Sequence, residues 1–248
     1  MPRMKRFVYA PDPHGEHVNR ASWQVLLDFC KDFKPHRRIM GGDVFDFAPF
    51  RKGASTDEKE QSMEQDINAG LGLIADFKPT DWCYGNHDIR PERVAREETG
   101  PLGDYAGSVV NRMDALCAKY KINRTPYRTN TYIAIGPLLK AMHGFTAQIH
   151  TAYAMAVAFG CVVTGHVHII ERARARTIDR RECVVGGCLR HPWARYNETH
   201  IATLRHAQGF LSGFYYEDRP EFCVSICEEL SDGRWLIPST FKEYGNAD

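Results

Sequence analysis

The sequence contains no long hydrophobic run. Its longest apolar stretch, residues 152–163, has twelve positions, whereas a helix that spans a bilayer needs about 18–20. Near the start, the apolar stretch that follows Arg3, Lys5 and Arg6 covers only residues 7–10, which is shorter than the roughly 7–15 residues of a signal-peptide core. We therefore expect a cytoplasmic protein without a membrane partner.

The chain also lacks an excess of charge of either sign and any Cys-x-x-Cys pair. Its 32 basic and 31 acidic residues leave a formal net charge of +1, which excludes a polybasic nucleic-acid-binding tail and an acidic disordered segment. The eight cysteines are spread along the chain, as is typical of buried reduced thiols. A zinc site from Cys183, Cys188, Cys223 and Cys227 is the alternative, but these spacings do not match zinc-binding patterns.

No linker, internal repeat or low-complexity segment interrupts the chain. At 248 residues, with 43% hydrophobic and 25% charged residues, the composition is that of a globular protein with a large core. We therefore predict a single domain over residues 1–248, in which residues 181–248 are mainly β-structure.

An alternation of strand, polar loop and helix dominates the first half of the sequence. The pattern predicts strands at residues 6–10, 37–40 and 81–84, and helices at residues 18–33 and 57–77. Further along, it predicts a helix at residues 106–120, a hairpin from residues 131–135 and 138–143, a strand at residues 161–164, and an antiparallel pair from residues 169–176 and 181–185. This order predicts an α/β protein, in which ligands bind at the carboxyl ends of the strands.

Five of the loops that follow predicted strands carry side chains that bind metals. Taken singly, each has an ordinary structural explanation, such as a turn or a hydrogen-bonded histidine. Taken together they indicate a metal site, because strand-end loops of one α/β domain meet at one edge. Nitrogen and oxygen ligands without thiolate favour Mn²⁺, with Fe, Zn²⁺ and Ni²⁺ as alternatives. The residues are Asp12 with His14, Asp43 with Asp46, Asn86 with His87 and Asp88, His143, and His166 with His168.

The ordered set of these motifs resembles the calcineurin-like metallophosphoesterase superfamily. The matching motifs are D-x-H from residue 12, G-D-x-x-D from residue 42, G-N-H-D from residue 85, a single His at 143, and G-H-x-H from residue 165. The closing region resembles phage and prophage members, which implies the cytoplasm of a bacterium or of a phage-infected host. That second resemblance is carried by Gly187-Cys188-Leu189, Pro192, Tyr196 and Gly213-Phe214.

The resemblance implies an α/β fold of a particular type and a centre of two divalent metal ions. The fold would be a four-layer αββα sandwich of two mixed β-sheets flanked by helices, which residues 181–248 complete. A hydroxide shared by the two metals would attack phosphorus in line. One metal would be held by Asp12, His14, Asp43 and His168. The other would be held by Asp43, Asn86, His143 and His166.

Three further residues receive roles from the same resemblance. His87 would assist the leaving group, a role suited to an imidazole near neutral pH. Asp88 would hold His87 in the required tautomer, and Asp46 would act from behind the ligands. The alternative for both aspartates is that they cap the following helix.

Departures from subfamily patterns narrow the expected substrate. Protein phosphatases of this superfamily have Arg after G-D-x-x-D and Glu after G-N-H, whereas this chain has Phe47 and Asp88. The lipid A-pathway hydrolases have G-N-R-D, and His87 stands at that position here. We therefore expect a phosphodiesterase or nuclease. A phosphomonoesterase acting on a nucleotide or small metabolite and a non-catalytic scaffold are the alternatives.

Residues 171–195 are rich in arginine and follow the last histidine motif. Arg172, Arg174 and Arg190 are the predicted substrate contacts, and a single-stranded nucleic acid or nucleotide is the predicted partner. Arginines that alternate with alanine also fit the solvated face of a strand. The aromatic residues that could stack bases are equally typical of a core. These aromatics are Trp193, Tyr196, Phe210 and Phe214.

Overall fold

The structure is a computed structural model and describes residues 4–191 and 201–238. Within these ranges the larger of two sheets consists of β1 (Lys5–Ala10), β2 (Arg37–Met40), β3 (Asp81–Cys83), β4 (Asn123–Thr125), β10 (Gly209–Tyr215), β11 (Phe222–Glu229) and β12 (Trp235–Leu236). The smaller sheet consists of β5 (Ile133–Ile135), β6 (Leu139–Ala141), β7 (Val162–Thr164), β8 (Ile170–Arg174) and β9 (Glu182–Gly186). The helices are α1 (Arg20–Phe33), α2 (Thr56–Lys59), α3 (Met63–Phe77), α4 (Arg90–Glu97), α5 (Pro101–Tyr120) and α6 (Thr151–Phe159).

Both sheets are mixed. The larger has the order β12-β11-β10-β1-β2-β3-β4, in which β1 to β4 are parallel and β10 to β12 are antiparallel. The smaller has the order β5-β6-β7-β9-β8, with parallel central strands and antiparallel edge strands. The parallel strands therefore direct their carboxyl ends, and the loops that follow them, to a common edge of each sheet.

Alternation along β1 shows how the layers stack. Val8 and Ala10 pack with α1, α3 and α5 in one core, whereas Phe7 and Tyr9 pack against the smaller sheet in a second core. Successive side chains of a strand point to opposite faces, so β1 is buried on both sides. A third core joins the outer face of the smaller sheet to α6. The layers are thus helix, sheet, sheet and helix, and the predicted α/β sandwich is confirmed.

Several element bounds differ from the sequence prediction. The helix predicted over residues 57–77 is broken into α2 and α3, because Ser62 accepts a hydrogen bond from the Gln65 backbone N–H and begins a new helix. The prediction missed α4, whose sequence has few apolar residues, and β4, an edge strand that is mostly exposed. β4 buries no apolar face, so alternation could not reveal it. α4 is amphipathic and buries Pro91, but it is shorter than the window of about 11–18 residues over which helical periodicity is recognised.

No helix in the described ranges is both long and apolar enough to cross a bilayer.

Candidate metal centre

The loops that follow β1, β2, β6 and β7 bind one another through their backbones. The Asp12 N–H donates to the Gly42 carbonyl at 3.2 Å, and the His14 N–H donates to the Asp43 carbonyl at 2.9 Å. The Gly165 N–H donates to the His143 carbonyl at 2.9 Å. These bonds join the loops within each sheet. The His166 N–H donates to Asp12 Oδ2 at 2.9 Å and joins the loops of the two sheets, which brings their polar side chains to one place.

The backbone of this region is strained at five of the predicted ligands. Asp12, His14, Asp43, His166 and His168 have φ angles of 47°, 52°, 47°, 73° and 58°. A left-handed conformation costs a residue with a side chain roughly 1–2 kcal/mol. Strain of this kind clusters at functional sites, where the surrounding structure holds it.

Two glycines allow the loops to approach this closely. A Cβ atom at Gly85 would overlap the Asp43 carboxylate, and a Cβ atom at Gly165 would overlap the Asp12 carboxylate. Any side chain at either position would displace a predicted ligand. Steric crowding therefore explains why the G-N-H-D and G-H-x-H motifs each begin with a glycine.

A first group of metal-binding atoms is formed by Asp12, His14 and His168, which offer atoms within 4.8 Å of one another. The Nε2 atoms of His14 and His168 are 3.2 Å apart, and His168 Nε2 is 3.5 Å from Asp12 Oδ1. Asp12 Oδ1 is buried and has no hydrogen-bond partner. A buried carboxylate oxygen without a partner is costly, and a bound cation would satisfy it.

A second group is formed by Asp43, His143 and His166. His143 Nε2 lies 3.2 Å from Asp43 Oδ2, 3.3 Å from His166 Nδ1 and 3.1 Å from Asn86 Oδ1. Asn86 thus joins this group. Asp43 Oδ2 is also 3.9 Å from His14 Nε2, which places the Asp43 carboxylate between the two groups.

The protonation states of these side chains suit a divalent cation. Burial lowers the pKa of His14 to about 3, and burial together with the charge of His143 lowers the pKa of His166 to about 4. Both imidazoles are therefore neutral and offer lone pairs. Burial alone would raise the pKa of Asp12 and Asp43, but the neighbouring histidines together, His143 foremost, outweigh burial and hold both below the usual range. Neutral imidazoles and ionised carboxylates are the ligand forms that metals need.

The pKa of His143 shows the effect of the two neighbouring carboxylates directly. Burial by itself lowers its pKa, but the charges of Asp43 and Asp12 outweigh burial and raise the pKa to about 10. The same field that retains a proton on His143 would attract a cation to this position. The donor set therefore fits the predicted metal ions.

Asp46 lies behind His14 and beside His87, and these three residues form a third group with atoms that could hold a metal ion. Asp46 Oδ1 is 2.8 Å from His14 Nδ1 and 3.1 Å from His87 Nδ1. His87 Nδ1 is also 2.9 Å from the Asp46 carbonyl oxygen, which can only accept a hydrogen bond. Burial lowers the pKa of His87, but the carboxylates of Asp43 and Asp46 outweigh burial and raise it. The second nitrogen, Nε2, is 3.8 Å from Asp43 Oδ2.

Asp88 does not hold His87, and this expectation is wrong. Its carboxylate accepts hydrogen bonds from the backbone N–H groups of Val44, Phe45 and Gly85 at 2.9, 3.3 and 2.9 Å, and from Trp82 Nε1 at 3.3 Å. Burial raises the pKa of Asp88 to about 7. Asp88 therefore ties the loop after β2 to the loop after β3, and Asp46 contacts His87 in its place.

The capping alternative is wrong for both aspartates. Ile89 precedes α4, and Phe47 precedes the 3-10 turn Ala48–Phe50, in each instance without a side-chain cap. The carboxylate oxygens of Asp46 and Asp88 contact groups in the strand-end loops instead.

The structure adds residues that the sequence patterns did not single out. Asp66 on α3 accepts hydrogen bonds from the Asp46 N–H at 3.1 Å and orders that loop. Arg90 Nη1 donates to the Asp46 carbonyl oxygen at 2.7 Å. The His206 ring packs on His168 with the centroids 4.9 Å apart. Of these, only Asp66 could have been found from the sequence, because it is an acidic residue at a position that faces the core in the pattern of its helix.

The arginines predicted to contact substrate do not reach the cavity, although the charge of Arg190 helps to lower the pKa of His14. Arg172 and Arg174 bind Glu182, with Arg172 Nη2–Oε1 and Arg174 Nε–Oε2 distances of 2.9 and 2.7 Å. Arg190 is only 1% exposed. None of the three lines the cavity beside the metal-binding groups. The prediction is corrected: Arg172 and Arg174 form surface ion pairs along β8, as the solvated-strand alternative describes, and Arg190 is buried.

The other candidate residues include a core side chain, free thiols and residues that lie outside the described ranges. Phe210 is fully buried in the core against α1, which is the core alternative. All eight cysteines are free thiols, and none belongs to the metal-binding groups found among the described residues. Trp193 and Tyr196, together with Pro192 of the phage-like motif, lie outside the described residues.

An open cavity of about 960 Å³ lies over the two groups. Its walls include His14, Asp43, Asn86, His166 and His168. His87 lies in the same wall, with 17% of its side chain exposed. A molecule in this cavity therefore reaches the candidate metal centre and His87 at once.

Comparisons with known proteins give likenesses to solved structures alone. No family model and no curated protein matches the chain. Among solved structures, the chain is similar to the crystal structure of wild-type Vps29 complexed with Zn²⁺ from Entamoeba histolytica, with 13% identity and a TM-score of 0.41. The match covers 90% of this chain and 98% of that chain. At this identity and score, nothing about activity, metal content or partners passes from that protein to this one.

Proposed function

We propose that this chain is a phosphoester hydrolase that depends on two divalent metal ions and prefers phosphodiesters. The observation that carries the proposal is the convergence of two metal-binding groups on Asp43, next to His87, in the wall of an open cavity. The ordered motifs and the four-layer fold support the same class. A structural role alone would leave buried, strained polar loops without compensation.

The proposed ligands follow the two groups. Asp12, His14, Asp43 and His168 would hold one ion, and Asp43, Asn86, His143 and His166 would hold the other. When bound, the pair of ions would activate water and stabilise the charge on the phosphoryl oxygens. The short distances between imidazole nitrogens within each group require a proton or a cation between them, and the ions meet that requirement.

His87 would donate a proton to the leaving oxygen. Its Nδ1 faces the Asp46 carbonyl oxygen, an acceptor, and therefore carries a hydrogen. The raised pKa of His87 favours the imidazolium form, in which Nε2 also carries a proton. The Asp46 carboxylate, 3.1 Å from Nδ1, stabilises that cation and fixes the ring. These are the requirements of a general acid near neutral pH.

The charge of the cavity wall favours a diester over a monoester. Its arginines and acidic residues balance, because Arg51, Arg90 and Arg205 are matched by Asp43, Asp46 and Glu58, and Arg51 pairs with Glu58. A monoester dianion would need a stronger positive field than a diester monoanion does. The wall therefore accepts the singly charged substrate at less electrostatic cost.

The test compares bis(4-nitrophenyl) phosphate with 4-nitrophenyl phosphate, with Mn²⁺ or with a chelator. Wild type should hydrolyse the diester faster, and chelation should abolish turnover. Asp43→Asn should lose the activity, whereas Asp28→Asn, the same change at an exposed acid of α1, should retain it. Preference for the monoester would replace the diester proposal with the monoesterase alternative. No hydrolysis of either ester would favour a non-catalytic scaffold.

A further inference from the structure

The cavity over the metal centre has two chemically different walls. Every described lining residue up to Arg90 is polar or charged. The lining residues from position 147 onward include a set of aliphatic side chains that come from the loops of the smaller sheet and from the 3-10 turn Ile201–Arg205. These aliphatic residues are Ala147, Ile149, Val167, Ile169, Ile201 and Leu204.

Three of these residues are large and strongly exposed. Ile149 is 75% exposed, Ile201 is 84% exposed and Leu204 is 70% exposed. Single exposed aliphatic residues are ordinary on a protein surface. Three that line one concave site beside polar groups are typical of a ligand pocket. We call Ile149, Ile201 and Leu204 the aliphatic wall.

The aliphatic wall is attached to the candidate metal centre. Arg205 Nη1 donates to the Ile149 carbonyl oxygen at 3.3 Å and joins the two segments of the wall. The Ala207 N–H donates to the His168 carbonyl oxygen at 2.9 Å, and the His206 ring packs on His168. The wall thus has a fixed position next to a proposed ligand. A group bonded to phosphorus at the centre would lie within its reach.

We propose that the aliphatic wall binds the apolar organic group of the phosphoester. This inference rests on the proposed function and specifies its substrate: a small amphiphilic phosphoester in which an apolar group is linked closely to phosphorus. A nucleoside base and an alkyl or aryl group share this chemistry. A long polynucleotide fits less well, because the cavity's three arginines share its wall with Asp43, Asp46 and Glu58, so the wall has no excess of arginine over acidic residues.

Binding of uncleavable phosphonates tests the wall apart from turnover. Calorimetry on the Mn²⁺-loaded protein would compare phenylphosphonate with methylphosphonate, which share a head group and differ in apolar area. Wild type should bind phenylphosphonate about tenfold more tightly. Ile201→Ser combined with Leu204→Ser should bring the ratio close to one without weakening methylphosphonate. Ile178→Ser, at an exposed isoleucine that does not line the cavity, should keep the wild-type ratio.

Two further ligands distinguish the sources of the apolar group. Tighter binding of the 5′-methylenephosphonate analogue of adenosine 5′-monophosphate, which has no hydrolysable ester bond, than of hexylphosphonate would identify a nucleoside, and the reverse order would identify an alkyl chain. Equal affinities for the phenyl and methyl compounds, with hydrolysis intact, would overturn the inference and leave the proposed function standing. A double variant that dissociates an oligomer without changing the ratio would also overturn it, since the wall would then be an interface between copies. Absence of both hydrolysis and phosphonate binding would instead remove the proposed function.

Discussion

The strand-end loops and the β8–β9 hairpin are both rich in ionisable side chains, but they bury them differently. In the loops, Asp12, Asp43 and His143 are at most 2% exposed. In the hairpin, the side chains of Arg172 and Arg174 are 44% and 76% exposed, and both bind Glu182.

The difference distinguishes a candidate metal site from an ordinary charged surface. Exposed ion pairs are satisfied by each other and by water, and they contribute little to stability. The loops hold ionised carboxylates, facing imidazole nitrogens and left-handed backbone in a buried place, and these costs need compensation. A high density of charged residues is therefore a poorer guide to the candidate site than buried ionisable groups that lie together.

Substitution of His87 gives the largest expected effect on the loops' side of the comparison. His87→Ala should lower turnover by about 10²–10⁴-fold, the usual contribution of a general acid. Metal content should not change, because His87 is not a proposed ligand. Steady-state kinetics with elemental analysis of the same sample would check both. Wild-type turnover in this variant would remove His87 from the chemistry.

Asp88→Asn should chiefly affect stability. The new amide NH₂ group would face the N–H groups of Gly85 and Trp82, from which the carboxylate now accepts hydrogen bonds. We therefore expect a loss of about 2–4 kcal/mol in the free energy of unfolding. Asp28→Asn, at an exposed helix position, should cost less than about 0.5 kcal/mol. Denaturant unfolding of both variants measures the contrast. Equal stabilities would contradict the assigned role of Asp88 in joining the loops.

Asp46→Asn should lower turnover by about 10–100-fold, as loss of a group that orients catalytic side chains does. It should also change the pH profile. The Asp46 carboxylate raises the pKa of His87, so its removal lowers that pKa. The limb of the rate profile that requires protonated His87 should then move to lower pH. An unmoved limb would show that Asp46 does not act through His87.

The hairpin should give the smallest effect on activity. Arg172→Ala with Arg174→Ala should lower the free energy of unfolding by about 1–3 kcal/mol, because Glu182, whose side chain is only 9% exposed, loses both ion-pair partners. Turnover and nucleotide binding should remain at wild-type values. A clear loss of nucleotide affinity would restore these arginines as substrate contacts and would break the contrast between the two regions.

The alternation of strand, loop and helix predicted the α/β class, whereas the four layers of the sandwich were predicted from the resemblance of the ordered motifs to the metallophosphoesterase superfamily. The sequence also predicted which loops come together, since strand ends of an α/β fold share an edge. It could not distinguish Asp46 from Asp88, because both lie in polar loops and residue spacing does not give the direction of a side chain. The prediction for Arg172 and Arg174 was wrong for a related reason. The sequence does not distinguish an arginine that pairs with Glu182 from an arginine that binds phosphate.

The cavity was harder still to predict. Arg90 begins a helix with little apolar content, and Ile149, Ile201 and Leu204 come from loops separated along the chain. None of them belongs to a motif. Only the packing of the two sheets brings them beside the metal-binding groups.

The central claim is that the strand-end loops form one centre for two divalent ions that share Asp43. Native mass spectrometry after Mn²⁺ loading and desalting tests it most directly, with Asp43→Asn and Asp28→Asn as matched variants. We predict two ions per chain in wild type and in Asp28→Asn, and loss of ions in Asp43→Asn. Full occupancy in Asp43→Asn, or no bound ion in wild type, would contradict the account.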